Sequence, residues 1–247
     1  MDYCIEICSL YDTRKIRNKS IIIFNDHNMA LPAWGTIRQD YDTPLKLITF
    51  DTHADTHAAF AREIGKSYFV YDERTCNKFK RDVLSALHCE ATDFNFEDVF
   101  KLSVDMVVND EHIFVADYFD YINGYVVFCN LSIDEVEDFQ SQDRSNGSDA
   151  TYYTKHKIKE MTDEEITLLC TSPFILDFDL DYFTSPEMFS NEFKEKISVL
   201  IRKASAITIA REPDFFKKER SDVDFTNEQA LEMLLHLIFE ILEFDVD

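Results

Sequence analysis

Three short apolar segments of this chain each end in residues that commonly bind metal ions. Residues 21–24 run into Asp26 and His27, residues 47–50 into Asp51, His53 and Asp55, and residues 174–176 into Asp177, Asp179 and Asp181. Carboxylate oxygens and imidazole nitrogens are donors for ions such as Mn²⁺, with Zn²⁺ and Fe²⁺ as competitors. Because the pattern occurs three times, it predicts one metal site built from several segments.

The spacing of the ligands strengthens this interpretation. Side chains alternate between the two faces of a strand, so residues two apart point the same way. Carboxylates gathered about 4 Å apart repel by roughly 4 kcal/mol at an effective dielectric near 20. Protons or divalent cations must therefore neutralise them. Four of these aspartates with the two histidines already exceed the needs of one tetrahedral zinc, and they suit two ions that share carboxylates.

The elements that carry these residues indicate an α/β protein. Apolar runs rich in Ile, Leu and Phe are typical of strands buried on both faces of a parallel sheet. Ligand sites in open α/β sheets lie beyond the carboxyl ends of the strands, where all three clusters fall. Alternating strands and helices predict a three-layer α/β/α fold with a mostly parallel central sheet. The length of 247 residues fits a single domain over residues 1–247.

Local patterns predict individual elements. We expect an edge strand at 3–10, helices near 73–87, 110–121 and 190–204, and strands at 125–131 and 206–210. The Asn123-Gly124 pair predicts a turn, and residues 140–150 are the most loop-like in the chain. Two capping boxes predict helix starts, at Thr162 with Glu165 and at Thr226 with Gln229.

Charge and cysteine usage narrow the classes of partner and compartment. Twenty-five basic and 48 acidic residues give 25 − 48 = −23. This charge disfavours nucleic acid and anionic membranes. It either serves only to keep the protein soluble or steers a cationic substrate to the site. The six cysteines form no CxxC pair, and we find no signal peptide or transmembrane-length apolar run. These features predict reduced thiols in a cytoplasmic protein. The pattern leaves the oligomeric state open.

Taken in order, the clusters resemble the metal motifs of the arginase and deacetylase superfamily. Asp26-His27 resembles its Asp-His pair, residues 51–55 its Asp-x-His-x-Asp motif, and Asp179-Leu180-Asp181 its final Asp-x-Asp. The segments 25–34, 109–113 and 177–183 are more similar to a divergent branch that includes bacterial peptide arginases. Those enzymes convert arginine to ornithine within ribosomally made peptides. The resemblance covers residues 20 to 213.

The resemblance implies a dinuclear hydrolase that cleaves the guanidino group of peptidyl arginine to ornithine and urea. It implies two Mn²⁺ ions that activate a shared water. Zn²⁺ or Fe²⁺ is less favoured. One ion would be held by His27, Asp51, Asp55 and Asp179, the other by Asp51, His53, Asp179 and Asp181. Glu212 stands where arginases place a carboxylate that orients the substrate, and His57 aligns with a substrate-contacting position. The acid–base histidine of the family has no match at its expected distance.

Other interpretations remain open. A zinc deacylase of the same superfamily would need fewer ligands, and a binding module would keep the metals without turnover. An aspartyl phosphatase is disfavoured because Asp181 stands where that class has Thr or Val, and a metallophosphoesterase because no Gly-Asn-His segment follows. We also expect Asp177 to fix a histidine tautomer by accepting a hydrogen bond. His112 is expected at a helix N-terminus, with a place in the lining of the pocket as the alternative.

Overall fold

The computed structural model describes residues 11–68, 72–146 and 149–243. Its strands are β1 Tyr11–Ile16, β2 Lys19–Phe24, β3 Leu45–Phe50, β4 Ile122–Cys129, β5 Ala150–Thr154, β6 Phe174–Asp179 and β7 Ala206–Ala210. Its helices are α1 Ala30–Arg38, α2 Ala61–Tyr68, α3 Glu73–Asp82, α4 Phe96–Asp105, α5 His112–Tyr118, α6 Ile133–Asn146, α7 Lys157–Glu160, α8 Asp163–Leu169, α9 Asn191–Lys203, α10 Pro213–Glu219 and α11 Asn227–Glu243. Along these residues, none of the helices is long and apolar enough to cross a membrane.

The strands form one sheet in the order β1-β2-β7-β6-β3-β4-β5. The β1–β2 pair is antiparallel, whereas β2–β7, β7–β6, β6–β3 and β4–β5 are parallel. The predicted α/β class with a mostly parallel central sheet is therefore confirmed. Because β7, β6 and β3 are neighbours, the segments that follow them leave the sheet side by side.

The chain divides into two compact units. The first unit comprises the described residues of 1–26, 46–54 and 124–247, and it holds the sheet apart from the first residues of β3 and β4. The second unit comprises the described residues of 27–45 and 55–123, with helices α1 to α5. A single domain over residues 1–247 stays a prediction.

Both faces of the sheet in the first unit are buried, as a three-layer arrangement requires. Leu47 and Ile175 on one face, and Ile48 and Leu176 on the other, are all fully buried. Aromatic rings reinforce the ends of the central strands. The Phe50 ring stacks on Phe128 at 4.6 Å and on Phe178 at 5.4 Å between centroids, and such pairs stabilise a core by about 0.5–1.5 kcal/mol each. These rings fix the strand ends from which Asp51 and Asp179 project.

Several predicted elements are confirmed. Strand β7 has the predicted bounds, and α9 lies within the predicted 190–204. The two helices expected at 73–87 and 110–121 exist as the shorter α3 and α5. Both capping boxes form: the Thr162 side chain accepts from the Glu165 backbone, and the Gln229 backbone donates to Thr226 Oγ1 at 3.2 Å.

Three predictions of local structure differ from the structure. The loop predicted at 140–150 is wrong over most of its length, because α6 continues to Asn146 and packs Phe139 on Tyr152 with 5.6 Å between ring centroids. The turn predicted at Asn123-Gly124 lies inside β4, where Gly124 adopts φ +80°. The edge strand predicted at 3–10 lies outside the described residues, and the described edge strands are β1 and β5.

Candidate metal centre

Candidate ligands of the first unit gather at the ends of three adjacent parallel strands. Asp51 follows β3, Asp179 ends β6, and Glu212 lies two residues after β7. Asp181 lies in the 3-10 turn that follows β6. All four carboxylates belong to buried residues, with at most 5% of the surface exposed. Asp51, Asp179 and Asp181 of the predicted ligand set therefore lie with Glu212 at the carboxyl ends of neighbouring strands.

His53 joins this acidic group. Its Nδ1 lies 3.1 Å from Asp181 Oδ2 and 3.6 Å from Asp51 Oδ1. Potential ligand atoms of Asp51, His53 and Asp181 all lie within 4.8 Å of one another, and so do those of Asp179, Asp181 and Glu212. We call these five residues the first-unit group. Asp181 belongs to both trios, which makes it the centre of the group.

Backbone bonds hold the central carboxylate in place. The Thr52 backbone N–H donates to Asp181 Oδ1 at 3.2 Å, and Thr52 Oγ1 donates to the Asp181 carbonyl oxygen at 2.8 Å. The Asp181 N–H in turn donates to Asp179 Oδ1 at 3.1 Å. These bonds join the loop after β3 to the turn after β6, so the ligand positions do not depend on flexible side chains alone.

The electrostatics of the first-unit group fit a bound cation. Hydrogen bonds to Asp181 and Asp51 raise the pKa of His53 to about 11, although its side chain is 41% exposed. Burial, together with the charge of Asp51, raises the pKa of Asp181. Both increases in pKa reflect a concentrated negative potential. The group therefore retains a proton when no other cation neutralises it. A divalent ion neutralises such a carboxylate and imidazole set directly.

A second group of candidate ligands lies within the second unit. His27 Nδ1 is 3.2 Å from Asp55 Oδ2, and His112 Nδ1 is 3.9 Å from the same oxygen. Potential ligand atoms of the three residues lie within 4.8 Å of one another, and we call them the second-unit group. Both histidines are fully buried. Asp55 adopts a left-handed φ of +50°, a strained backbone conformation of the kind that clusters at functional sites.

His112 is the member of this group that sequence reasoning placed outside the ligand set. It is the first residue of α5, as predicted, but its ring lies 4.2 Å from the His27 ring and 5.2 Å from the Trp34 ring between centroids. The signal available in the sequence was the segment 109–113, which resembles the peptide arginase branch. That resemblance alone does not tell where the imidazole points.

The two predicted catalytic residues lie in different surroundings. The Glu212 carboxylate is buried beside Asp179 and Asp181, and its backbone N–H donates to the Asn25 carbonyl at 2.8 Å. The His57 side chain is 72% exposed, and its Nδ1 lies 3.3 Å from Asp110 Oδ2. Among the described residues, His57 belongs to neither group of candidate ligands. Its catalytic role stays a prediction.

Asp177 accepts hydrogen bonds inside the sheet. Thr49 Oγ1 donates to Asp177 Oδ2 at 2.8 Å, and Thr208 Oγ1 donates to Asp177 Oδ1. All three residues are fully buried. The two threonines belong to β3 and β7, the strands on either side of β6, so Asp177 fastens together the strands that carry the first-unit group.

No family model matches the chain, and no curated protein matches it. Among solved structures, the chain is similar to proclavaminate amidino hydrolase from Streptomyces clavuligerus. The TM-score is 0.47 and the sequence identity is 10%, over 90% of this chain and 64% of that one. The chain thus spans less than two thirds of the length of that protein.

Lys155 is a further residue at this site that the sequence patterns did not single out. It follows β5 and is only 7% exposed. Its Nζ lies 3.4 Å from Thr52 Oγ1 and 4.9 Å from the centroid of the Tyr182 ring. Burial lowers the pKa of Lys155, while nearby carboxylates such as Asp181 oppose that shift. The acidic first unit thus contains a buried amine close to the backbone that holds Asp181.

Proposed function

We propose that the protein is a metal-dependent hydrolase that uses two divalent ions, Mn²⁺ being expected, to cleave the guanidino group of arginine to ornithine and urea. The observation that carries this proposal is the first-unit group: four buried carboxylates and one imidazole at the ends of three adjacent parallel strands. Such a set is costly without a cation and is well suited to hold one. The resemblance of the three motifs to those of arginases supports the choice of reaction.

The proposed ligands follow the sequence motifs. They are His27, Asp51, His53, Asp55, Asp179 and Asp181. When bound, divalent ions activate water as a nucleophile and polarise the group that it attacks. Contacts within the protein hold the proposed ligands in position. Hydrogen bonds from Thr52 fix Asp181, and the stacked core rings fix the strand ends.

Glu212 is proposed to orient the substrate. A planar guanidinium group binds a carboxylate through two parallel charge-assisted hydrogen bonds, which fix its direction as well as its position. The Glu212 carboxylate is buried and lies beside Asp179 and Asp181. Because Glu212 is bonded through its backbone to Asn25, its position does not depend on substrate binding. His57 is proposed as a second substrate contact, with Asp110 orienting its imidazole.

An arginine within a peptide is the proposed substrate. The net charge of −23 favours cationic ligands over anionic ones. The segments around the motifs are more similar to the peptide arginase branch than to enzymes of free arginine. A peptide also offers backbone groups on both sides of the arginine for recognition.

The test is urea release by the full chain loaded with Mn²⁺. Arginine-containing peptides, free arginine and agmatine are compared, with acetyl-lysine peptides in parallel. We expect urea from at least one peptide, and we expect none after EDTA treatment or from Asp181→Asn. As the matched control, Asp163→Asn should keep its activity, because the Asp163 side chain is 90% exposed on α8.

Three outcomes would contradict parts of the proposal. Faster urea release from free arginine or agmatine than from any peptide overturns the peptide substrate. Acetate release without urea identifies a deacylase of the same superfamily. Metal binding without either product identifies a binding module.

A further inference from the structure

The second-unit group differs in its donors from the first-unit group, and this difference has a chemical consequence. We propose that His112 binds a metal ion through Nε2, together with His27 and Asp55, and that this ion is of a different kind from the one in the first-unit group. The second-unit group would prefer Fe²⁺, Co²⁺ or Zn²⁺, whereas the first-unit group would prefer Mn²⁺. The inference rests on the proposed function for the presence of two ions.

The hydrogen bond at Nδ1 sets the tautomer of His112. Nδ1 lies 2.6 Å from the carbonyl oxygen of Asn109, a group that only accepts hydrogen bonds. Nδ1 therefore carries the proton, and the lone pair of the neutral ring is on Nε2. Metal-binding histidines usually donate their other ring N–H to a carbonyl or carboxylate in this way.

The two imidazoles are held together before any ion binds. The Asn28 side-chain amide donates to the carbonyl oxygens of Ser103 at 2.8 Å and Val107 at 3.0 Å. These bonds tie the residue after His27 to the segment that leads into α5 and His112. With both rings fully buried, little conformational freedom remains to be lost on binding.

Packing alone does not account for this arrangement. A residue that only filled space beside Trp34 would need no carboxylate near its ring. Asp55 Oδ2 instead lies 3.2 Å from His27 Nδ1, and one ligand atom each of His27, Asp55 and His112 lie within 4.8 Å of one another. Asp55 holds this position in a left-handed backbone conformation that is unfavourable for a residue with a side chain. Two imidazoles and a carboxylate are also the donors of a recurrent site for Fe²⁺.

The donor sets predict different ions. Apart from Glu212, which is proposed to orient the substrate, the first-unit group offers one imidazole and three carboxylates, whereas the second-unit group offers two imidazoles and one carboxylate. Carboxylate-rich sites suit Mn²⁺, and imidazole donors suit Fe²⁺, Zn²⁺ and Cu²⁺. His112 creates this difference, because without it each group would have a single imidazole.

Equilibrium dialysis of the full chain against Mn²⁺ and Co²⁺ together, with metal analysis of the bound ions, tests the proposal. We expect two bound equivalents of metal. The preference for Co²⁺ over Mn²⁺ should be at least about tenfold greater at one site than at the other. In His112→Phe, which keeps a ring against Trp34, that selectivity should fall by about 10- to 100-fold. His88→Phe is the matched control, since His88 is an exposed histidine of the same unit.

A measurement on the unaltered chain covers the case in which His112→Phe does not fold. X-ray absorption of protein carrying one equivalent of Co²⁺ should show two imidazoles on the ion. One imidazole, or two equivalents of equal selectivity, would overturn the proposal. Two unlike ions without urea release would support this inference and contradict the proposed reaction. Failure to bind any metal would overturn both.

Discussion

The Nζ atom of Lys155 lies 3.4 Å from the hydroxyl oxygen of Thr52, inside the acidic first unit. Thr52 uses its own N–H and hydroxyl hydrogen to hold Asp181, so its hydroxyl oxygen can accept from the ammonium group. The Tyr182 ring faces the same ammonium at 4.9 Å. Lys155 therefore supplies a fixed positive charge next to a group that otherwise concentrates negative charge.

Replacing Lys155 by Met should destabilise the metal-free protein more than the metal-loaded protein. The substitution keeps most of the buried stem and removes the countercharge, which bound ions replace. We expect a loss of about 1–3 kcal/mol without metal, which is roughly 2–12 °C in Tm for a chain of this size. The loss with Mn²⁺ should be smaller, so Mn²⁺ should bind more tightly to the variant. Thermal unfolding in EDTA and in Mn²⁺ measures both quantities.

Lys157→Met is the control for that comparison. Lys157 lies two residues further along, and its side chain is 35% exposed with Glu160 at 3.8 Å. Its replacement should change the free energy of unfolding by no more than about 0.5 kcal/mol. Equal losses for Lys155→Met with and without Mn²⁺ would show that the lysine only packs.

Substitution by Asn should change the stability of the metal-free protein in opposite directions at two buried aspartates near the end of β6. Asp177 accepts from the hydroxyls of Thr49 and Thr208, so Asp177→Asn should cost about 1–3 kcal/mol with or without metal. Asp181 faces Asp51, so their like charges repel each other in the metal-free protein. The substitution Asp181→Asn removes this repulsion. We expect Asp181→Asn to raise Tm in EDTA and to reduce the rise in Tm that Mn²⁺ causes in the unaltered chain.

Chemical denaturation in EDTA measures both changes in the free energy of unfolding without interference from thermal aggregation. The midpoint should move to higher denaturant for Asp181→Asn and to lower denaturant for Asp177→Asn, with similar slopes. If Asp181→Asn destabilised the metal-free protein as much as Asp177→Asn, the first-unit group would not be under electrostatic strain. That result would remove the main reason to expect a cation there.

The acidic site was predictable because ligand sites of open α/β sheets lie beyond the carboxyl ends of the strands. Buried β3 and β6 are apparent as apolar runs, and their parallel register places Phe50 beside Phe178. Asp51 and Asp179 therefore leave the sheet side by side. Alternation along a strand does not describe the ligands two residues further on, because Asp181 lies in a 3-10 turn and Asp55 adopts a left-handed φ of +50°.

His112 and Lys155 were not predictable in the same way, because their positions come from packing between distant segments. The His112 ring is directed by contacts with His27 and Trp34, which no local spacing encodes. Lys155 reaches Thr52 only because β5 ends close to the loop after β3. The helix α6 was missed for a related reason: its contact with Tyr152 outweighs the turn signal of residues 145–148.

Two helical glycines of the second unit provide a further prediction about packing. A Cβ at Gly35 would overlap the Phe94 ring and lie 2.9 Å from the Tyr121 ring, whereas a Cβ at Gly65 would meet nothing within 4 Å. Gly35→Ala should therefore destabilise the protein by about 1–3 kcal/mol through overpacking. Gly65→Ala should stabilise it by up to about 1 kcal/mol through helix propensity. Denaturant unfolding of the pair measures both, and a neutral Gly35→Ala would contradict the close packing of α1.

Glu212→Gln should separate substrate orientation from metal binding. The substitution keeps the shape of the side chain and removes its charge, and a hydrogen bond to a charged group is worth about 1.5–3 kcal/mol. We therefore expect kcat/KM for an arginine peptide to fall by roughly 10- to 150-fold, with two equivalents of metal still bound. Because Glu212 lies within 4.8 Å of the ligand atoms of Asp179 and Asp181, loss of one equivalent of metal would instead identify it as a ligand. Glu187→Gln, at an exposed position, is the control and should change neither quantity.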